Sequence, residues 1–119
     1  MTVNSISAVT LAIANMDRSL DFYQNRVGLE LLYGGKTASF SSFRVGEGFL
    51  NLILEPEARV NWWGRVILYV DQVDALYRRL VDSGWTVAQA PEDAAWGERY
   101  FHVQDPDGHE ISFASPLQG

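Results

Sequence analysis

Apolar and polar residues alternate along most of this 119-residue chain, and the alternation predicts eight half-buried β-strands. In the first half of the chain the alternating segments are 6–13, 29–33, 38–45 and 49–55. In the second half they are 65–70, 85–91, 98–104 and 109–114. Glycine-containing turns separate several of these segments, which favours antiparallel hairpins within each half.

Two segments have helical spacing instead. Apolar residues recur on one face of the first at Leu20, Tyr23 and Val27. Either Asn15 or Asp17 can cap its start, and Gly28 ends it. The apolar face of the second helix consists of Val73, Leu76, Tyr77 and Leu80. Gly84 ends this second helix.

The order βαβββ occurs twice, with an offset of 57 residues that places Ile13–Asp17 over Val70–Asp74. The connection Glu55–Gly64 is too short for an interdomain linker. We therefore expect one α+β domain over the whole chain, with a first module at about 5–55 and a second at about 64–116. The turn Asp105–Gly108 has proline at its first corner and glycine at its left-handed end, so it joins the last two strands.

Alternation also gives each sheet a face turned away from its helix. The polar residues predicted there are Thr10, Asn51, Arg65, Tyr69, Tyr100, His102, Glu110 and Ser112, among the apolar Phe49, Ile53 and Ile67. Tyr100 and His102 belong to this set only if Phe101 and Val103 pack inward. Such a mixture suits a curved ligand cleft, although a solvated face or a dimer contact has the same pattern.

Composition narrows the classes of partner. The net charge of −6 argues against nucleic acid or an anionic membrane as the main partner. No apolar run reaches the roughly 18 residues that a membrane span needs, and the first nine residues lack signal-peptide features. The chain has no cysteine, which excludes disulfides, thiolate metal ligands and thiol nucleophiles. We therefore expect a cytoplasmic protein.

Three stretches, Ala8–Leu31, Leu68–Gly84 and Trp96–Phe113, together resemble the glyoxalase, bleomycin-resistance and extradiol-dioxygenase superfamily, also called vicinal oxygen chelate proteins. The resemblance implies that paired βαβββ modules form an open, barrel-like curved sheet with helices on the outside, around a cleft. It also implies a homodimer that binds a small molecule.

Enzymes of that superfamily hold a divalent metal in the cleft. The resemblance places their ligand positions at Ala8, Asn51, Arg65 and Ser112. Alanine has no donor atom, arginine is a fixed cation, and the other two are neutral oxygen ligands at best. We therefore expect neither a metal nor another cofactor. The two histidines do not replace the missing ligands, since His109 is interpreted as a turn residue and His102 has only Glu110 near it.

Metal-free superfamily members include the bleomycin-resistance proteins, which sequester a drug. This chain resembles them at Ser7–Val9, at Val73–Tyr77 and at Trp96 and Gly97 followed by Arg99 and Phe101. The stacking candidates are Trp96 first, then Tyr69, Tyr100, Phe49, Trp62 and Trp63. The favoured hypothesis is a dimeric, metal-free binder of an aromatic small molecule such as an antibiotic.

Two other functions stay open. One is a lyase, isomerase or dioxygenase in which His102 acts as the base while Thr10, Tyr100 and Arg65 orient an oxyanion. The other is a module for dimerisation or partner binding, with which exposed tryptophans are compatible. Arg65 either binds a carboxylate or carbonyl of the ligand or pairs with Glu110.

Overall fold

A computed structural model describes residues 1–117, and the backbone divides into two compact units. The first comprises Met1–Arg59 and the second begins at Val60, so the boundary lies inside the predicted connection. We call these units module 1 and module 2. The single-domain organisation stays a prediction.

Module 1 is a four-stranded sheet with one helical segment. Its elements are β1 (Ala8–Ile13), α1 (Met16–Leu20) with a π-helical continuation (Asp21–Val27), β2 (Glu30–Tyr33), β3 (Phe40–Val45) and β4 (Gly48–Leu54). The strand order is β1-β4-β3-β2, with β1 parallel to β4 and the other pairs antiparallel. The βαβββ prediction for this half of the chain is confirmed.

The helical segment of module 1 begins and ends where the sequence predicts. Asn15 caps it by accepting the backbone N–H of Arg18 at 3.0 Å, and Gly28 closes it with φ of +91°. The π-helical continuation was not predicted. It contains Phe22 and Tyr23, which are adjacent in sequence and both fully buried, and π turns of this kind change how neighbouring side chains are aimed. The Tyr23 ring lies 6.0 Å from that of Phe43, which packs this segment on β3.

Module 2 repeats the topology. Its elements are β5 (Arg65–Tyr69), α2 (Val73–Asp82), β6 (Glu92–Asp93), β7 (Glu98–Gln104) and β8 (Glu110–Pro116). The order is β5-β8-β7-β6, with β5 parallel to β8. The predicted strand over 85–91 is wrong: only Glu92 and Asp93 pair with β7. One reason is that the Trp85 indole N–H donates to the Gln104 carbonyl at 3.0 Å, so a side chain occupies an acceptor on the edge of β7.

The core of module 2 lies between α2 and the strands β7 and β8. Val73, Leu76 and Leu80 are buried, and Tyr77 is half-buried with its ring edge-on to Phe101 at 5.7 Å. Phe101 and Val103 are buried, so the ambiguity of this strand is resolved and Tyr100 and His102 lie on the opposite face. Gly108 ends the predicted turn with φ of +97° and donates its N–H to the Asp105 carbonyl at 3.0 Å.

The strand register shows which positions of the two modules correspond. In module 1, Ala8 pairs with Phe49 and Thr10 with Asn51. In module 2, Arg65 pairs with Glu110 and Ile67 with Ser112. Ala8 therefore corresponds to Arg65, and Asn51 to Ser112. Within residues 1–117 no helix is long and apolar enough to cross a membrane.

Candidate functional site

The open face of module 2, the side of its sheet away from α2, contains most of the predicted site. Its residues are Arg65, Ile67, Tyr69, Glu92, Glu98, Tyr100, His102, Gln104, Glu110, Ser112 and Ala114. Ser112 and Ala114 are small and almost completely buried, while Ile67 and Tyr69 on the neighbouring β5 are more than half exposed. Larger side chains on β5 and β7 flank these two small residues and leave almost none of their surface exposed.

Three aromatic rings follow one another along β7 and the turn before it. The Trp96 and Tyr100 ring centroids are 5.5 Å apart at 31°, and those of Tyr100 and His102 are 5.0 Å apart at 48°. We call Trp96, Tyr100 and His102 the ring row. Trp96 is 68% exposed, so much of its indole surface is accessible to a ligand.

Carboxylates fix the orientation of two rings of the row, Trp96 and Tyr100, and of the neighbouring Tyr69. The Tyr100 hydroxyl donates to Glu92 at 2.7 Å, and the Trp96 indole N–H donates to Glu98 at 2.8 Å. The Tyr69 hydroxyl donates to the second oxygen of Glu98. Because each phenol donates to an anion, the pKa values of Tyr69 and Tyr100 are raised and both stay protonated at neutral pH.

Arg65 pairs with Glu110 through a 2.6 Å contact between Nε and Oε2. The Trp62 indole N–H approaches the same carboxylate oxygen at 3.4 Å, and its ring lies 5.8 Å from the Arg65 guanidinium. Partial burial opposes ionisation of Glu110, but the hydrogen bonds from Arg65 and Trp62 outweigh it and lower the pKa of this carboxyl. Of the two alternatives for Arg65, the structure contains the ion pair.

His102 is held neutral. Its pKa is lowered first by burial and then by the positive charge of Arg65, against a smaller opposing effect of Glu110 and Glu92. Its Nδ1 atom is shielded from solvent and has no hydrogen-bond partner among residues 1–117. A cavity of about 200 Å³ adjoins this ring, between the segment 88–90 and β7.

The open face of module 1 is chemically simpler. The Asn51 amide donates to the Thr10 hydroxyl at 3.3 Å, and Phe49 is half-buried beneath the Arg44 guanidinium at 5.6 Å. Ala8 and Ile53 are exposed. The open sides of β1 and β4 thus contain polar and apolar groups but no titratable one.

The residues at the four expected metal positions do not fit a divalent ion. Ala8 has no donor, Asn51 bonds Thr10, and the Arg65 cation is paired with Glu110. The Ser112 hydroxyl is buried and lies 3.4 Å from the Phe101 carbonyl. In neither module do the described His, Asp and Glu side chains form a group of three able to hold a metal.

His109 lies on the helix side of its sheet and not with the ring row. It is buried, and its Nδ1 accepts the Trp63 indole N–H at 2.8 Å. Its backbone N–H donates to the buried Asp105 carboxylate at 2.8 Å. The interpretation of His109 as a turn residue is confirmed.

The sequence reasoning missed Glu92 and Glu98, which orient Tyr100 and Trp96. Glu98 has the same parity as Tyr100 and His102, so alternation alone places it on the open face. Glu92 had no such signal, because the strand was predicted to end at residue 91.

Comparison with known proteins agrees with this architecture. The model of the Glyoxalase/Bleomycin resistance protein/Dioxygenase superfamily matches residues 5–113, and the chain belongs to this superfamily. The metallothiol transferase FosB of Shouchella clausii is 30% identical in an alignment of length 116 that covers 90% of this chain and 77% of that protein.

Two further similarities are more limited. The uncharacterized protein Mb0911c of Mycobacterium bovis is 45% identical over 51 residues, which are 43% of this chain and 34% of that protein. The matched part of this chain thus spans about a third of that relative's length. The match to the crystal structure of a putative glyoxalase family protein from Bacillus anthracis covers 98% of each chain, with a TM-score of 0.83 and 21% sequence identity. At this identity the match shows the fold alone.

Proposed function

We propose that this protein binds a planar aromatic small molecule on the open face of module 2, against the ring row, without a metal ion. The observation that carries the proposal is the row itself, in which Trp96, Tyr100 and His102 succeed one another on the open face of the sheet. An antibiotic with a planar ring system is one ligand of this class. We also expect the binder to be a cytoplasmic homodimer, an expectation that comes from the sequence and the superfamily resemblance.

The energetics favour stacking at this place. An aromatic pair contributes about 0.5–1.5 kcal/mol beyond the area that it buries, and Trp96 offers a largely exposed ring. Glu92 and Glu98 already hold Tyr100 and Trp96 in position, so these two side chains lose little conformational freedom when a ligand binds. The donor-poor residues at the four metal positions favour binding without a metal.

Calorimetric titration of EDTA-treated protein with acridine tests the proposal. We expect saturable binding that added Ni²⁺, Zn²⁺ or Mn²⁺ does not strengthen, and recovery of unchanged acridine. Trp96→Ala should weaken binding about fivefold or more, because it removes the exposed end of the ring row. Tyr33→Ala removes a ring of nearly equal exposure from module 1 and serves as the control. Binding that requires a metal, or that Trp96→Ala leaves intact, contradicts the proposal.

A second candidate is an enzyme that uses His102 as a general base. Its support is the neutral imidazole with an unpartnered Nδ1 and the 30% identity to a protein named a metallothiol transferase. The engagement of Tyr100 with Glu92 and of Arg65 with Glu110 leaves these two groups poorly placed to stabilise an oxyanion, so we favour the binder. Mass spectrometry of candidate substrates after incubation with wild type and His102→Gln separates the two: a product that only wild type forms establishes the enzyme.

A further inference from the structure

Two rings of the row belong to one short hairpin. β6 and the start of β7 form this hairpin, residues 92–100, around a turn at 94–97. Trp96 lies in the turn, and Tyr100 lies on β7. The third ring, that of His102, follows on the same face of β7. The geometry of the hairpin therefore decides how the first two rings are presented to a ligand.

The backbone alone holds this hairpin together poorly. β6 consists of Glu92 and Asp93, and it pairs with β7 only at these two residues. By contrast, β7 pairs with β8 over its whole length. A two-stranded hairpin is marginally stable at best by itself, and this one has an unusually short ladder. β7 thus stays in the sheet without further support, whereas the position of β6 depends on side-chain contacts.

Each side chain of β6 bonds to the β7 residue opposite it. On the open face, Glu92 accepts the Tyr100 hydroxyl at 2.7 Å. On the helix side, Asp93 accepts Nη1 of Arg99 at 2.9 Å. A pair of opposite charges directly across two strands stabilises their ladder, and a charged donor and acceptor strengthen the hydrogen bond. The Asp93–Arg99 bond therefore helps to keep Glu92 within reach of Tyr100.

Arg99 also bonds to α2. Its Nε and Nη2 atoms donate to the two carboxylate oxygens of Asp74 at 2.8 and 2.9 Å. These bonds from the guanidinium lower the pKa of the Asp74 carboxyl, which keeps it ionised at neutral pH. One side chain thus makes two separate attachments, β7 to β6 and β7 to α2, with different nitrogen atoms for each.

We infer that Arg99 is a positioning residue of the ring row, acting through Asp93 on the hairpin. The inference rests on the proposed function, since a bound ligand reports the position of the rings. The bond to Asp74 has a different effect, because it fixes α2 to a strand that β8 already holds in the sheet. Loss of Asp93 should therefore loosen the rings, whereas loss of Asp74 should weaken the fold and leave the rings in place.

Calorimetric titration of two alanine variants with acridine tests this division. Asp93→Ala should bind acridine about threefold more weakly, because the loosened rings lose more conformational freedom on binding. Asp74→Ala should bind acridine as the wild type does. It should nevertheless lower the midpoint of urea denaturation more than Asp93→Ala, since it loses two hydrogen bonds and an acidic group in the first turn of α2. Asp93→Asn keeps an oxygen that accepts from Arg99 and should retain most of the affinity.

A second readout follows the hairpin without a ligand. The hydrogen bond to Glu92 raises the pKa of the Tyr100 phenol, so a ¹³C NMR titration of tyrosine Cζ reports whether this bond is intact. In Asp93→Ala the pKa of Tyr100 should fall toward its ordinary value of 10.0, and in Asp74→Ala it should not change. Tyr69 is the internal control, because its raised pKa depends on Glu98 and should be the same in both variants.

The outcomes separate this inference from the proposed function. A loss of acridine affinity in Asp74→Ala as large as that in Asp93→Ala overturns the inference, and so does full affinity in Asp93→Ala. An unchanged pKa of Tyr100 in Asp93→Ala overturns it as well. This last result decides even if acridine fails to bind the wild type, a failure that contradicts the proposed function itself.

Discussion

The two modules have the same topology and register, yet their open faces differ in chemistry. Module 1 has the loose, exposed pair Arg44–Glu30 at 3.9 Å, whereas module 2 has the close pair Arg65–Glu110 beside Tyr100 and His102. The register places Arg65, Glu110, Tyr100 and His102 of module 2 at the positions that Ala8, Phe49, Phe40 and Ser42 occupy in module 1. The βαβββ scaffold constrains chiefly the helix-side residues, most of which are apolar. Its open-face positions are therefore free to differ, and function is a property of those positions and not of the fold.

The largest difference we predict concerns the cores. Phe101 is 1% exposed and packs against Tyr77 and Phe113, so Phe101→Ala should lower the free energy of unfolding by about 3–5 kcal/mol. The corresponding residue of module 1 is Ser41, which is buried and accepts the Gly35 N–H at 3.1 Å. Ser41→Ala should cost about 1 kcal/mol. Urea denaturation measures both, and a smaller loss for Phe101→Ala than for Ser41→Ala would refute this account of packing.

A smaller difference concerns how the chain enters each module. Residues 1–7 are exposed before β1, whereas Trp63 enters module 2 with its indole bonded to the buried His109 at 2.8 Å. Trp63→Phe should cost about 1 kcal/mol, the usual net value of one hydrogen bond. Trp62→Phe is the matched control, because its indole contact is longer and more exposed at 3.4 Å, and its cost should be near zero. Equal costs in urea denaturation would contradict this distinction.

The Arg65–Glu110 pair should make module 2 sensitive to acid. The folded pKa of Glu110 is lowered, so the pair stabilises the fold above the ordinary glutamate pKa, and this contribution is lost as pH falls through the folded pKa. Arg65→Met should cost up to about 1 kcal/mol at pH 7, since the pair is partly exposed, and nothing once Glu110 is protonated. Ala8→Arg at the corresponding position should add no such dependence, because Phe49 stands opposite. Denaturation curves at several pH values measure the loss of unfolding free energy in Arg65→Met. A loss that does not change with pH argues against a stabilising pair.

His102 should show the smallest effect on stability. Its folded pKa lies below the ordinary value of 6.5, so the unfolded chain binds the proton more readily and stability falls as pH drops below about 6.5. Arg65→Met removes one of the two causes and should raise the pKa of His102. NMR titration of the imidazole measures this directly. An unchanged His102 pKa in Arg65→Met would show that burial alone sets it.

Much of the fold was predictable because alternation, helix caps and the repeat all indicated the same elements. The exception is the segment 85–91, whose alternation resembles that of a strand although the Trp85 indole occupies an edge acceptor of β7. The π-helical continuation was also missed, since Phe22 and Tyr23 satisfy an ordinary helical pattern in sequence. The departure of segment 85–91 has no local signature, because it involves a contact with the distant strand β7.

The sequence predicted which residues share the candidate site better than it predicted how those residues are arranged. Parity placed Tyr100, His102 and Glu110 on one face correctly once Phe101 was known to pack inward. Parity does not give the depth of a side chain, and Ser112 lies on that face yet is buried. The role of Glu92 depends on a two-residue strand that no propensity indicates.

The most direct test of the central claim is a ¹H–¹⁵N NMR titration of the metal-free protein with acridine. The claim that ligand chemistry resides in module 2 predicts the largest shifts at the Trp96 indole N–H and at the backbone N–H groups of Tyr100 and His102. Titration of Trp96→Ala should abolish most of these shifts. Largest shifts at Thr10 and Asn51, with Trp96 and His102 unmoved, would contradict the claim and place the binding chemistry in module 1.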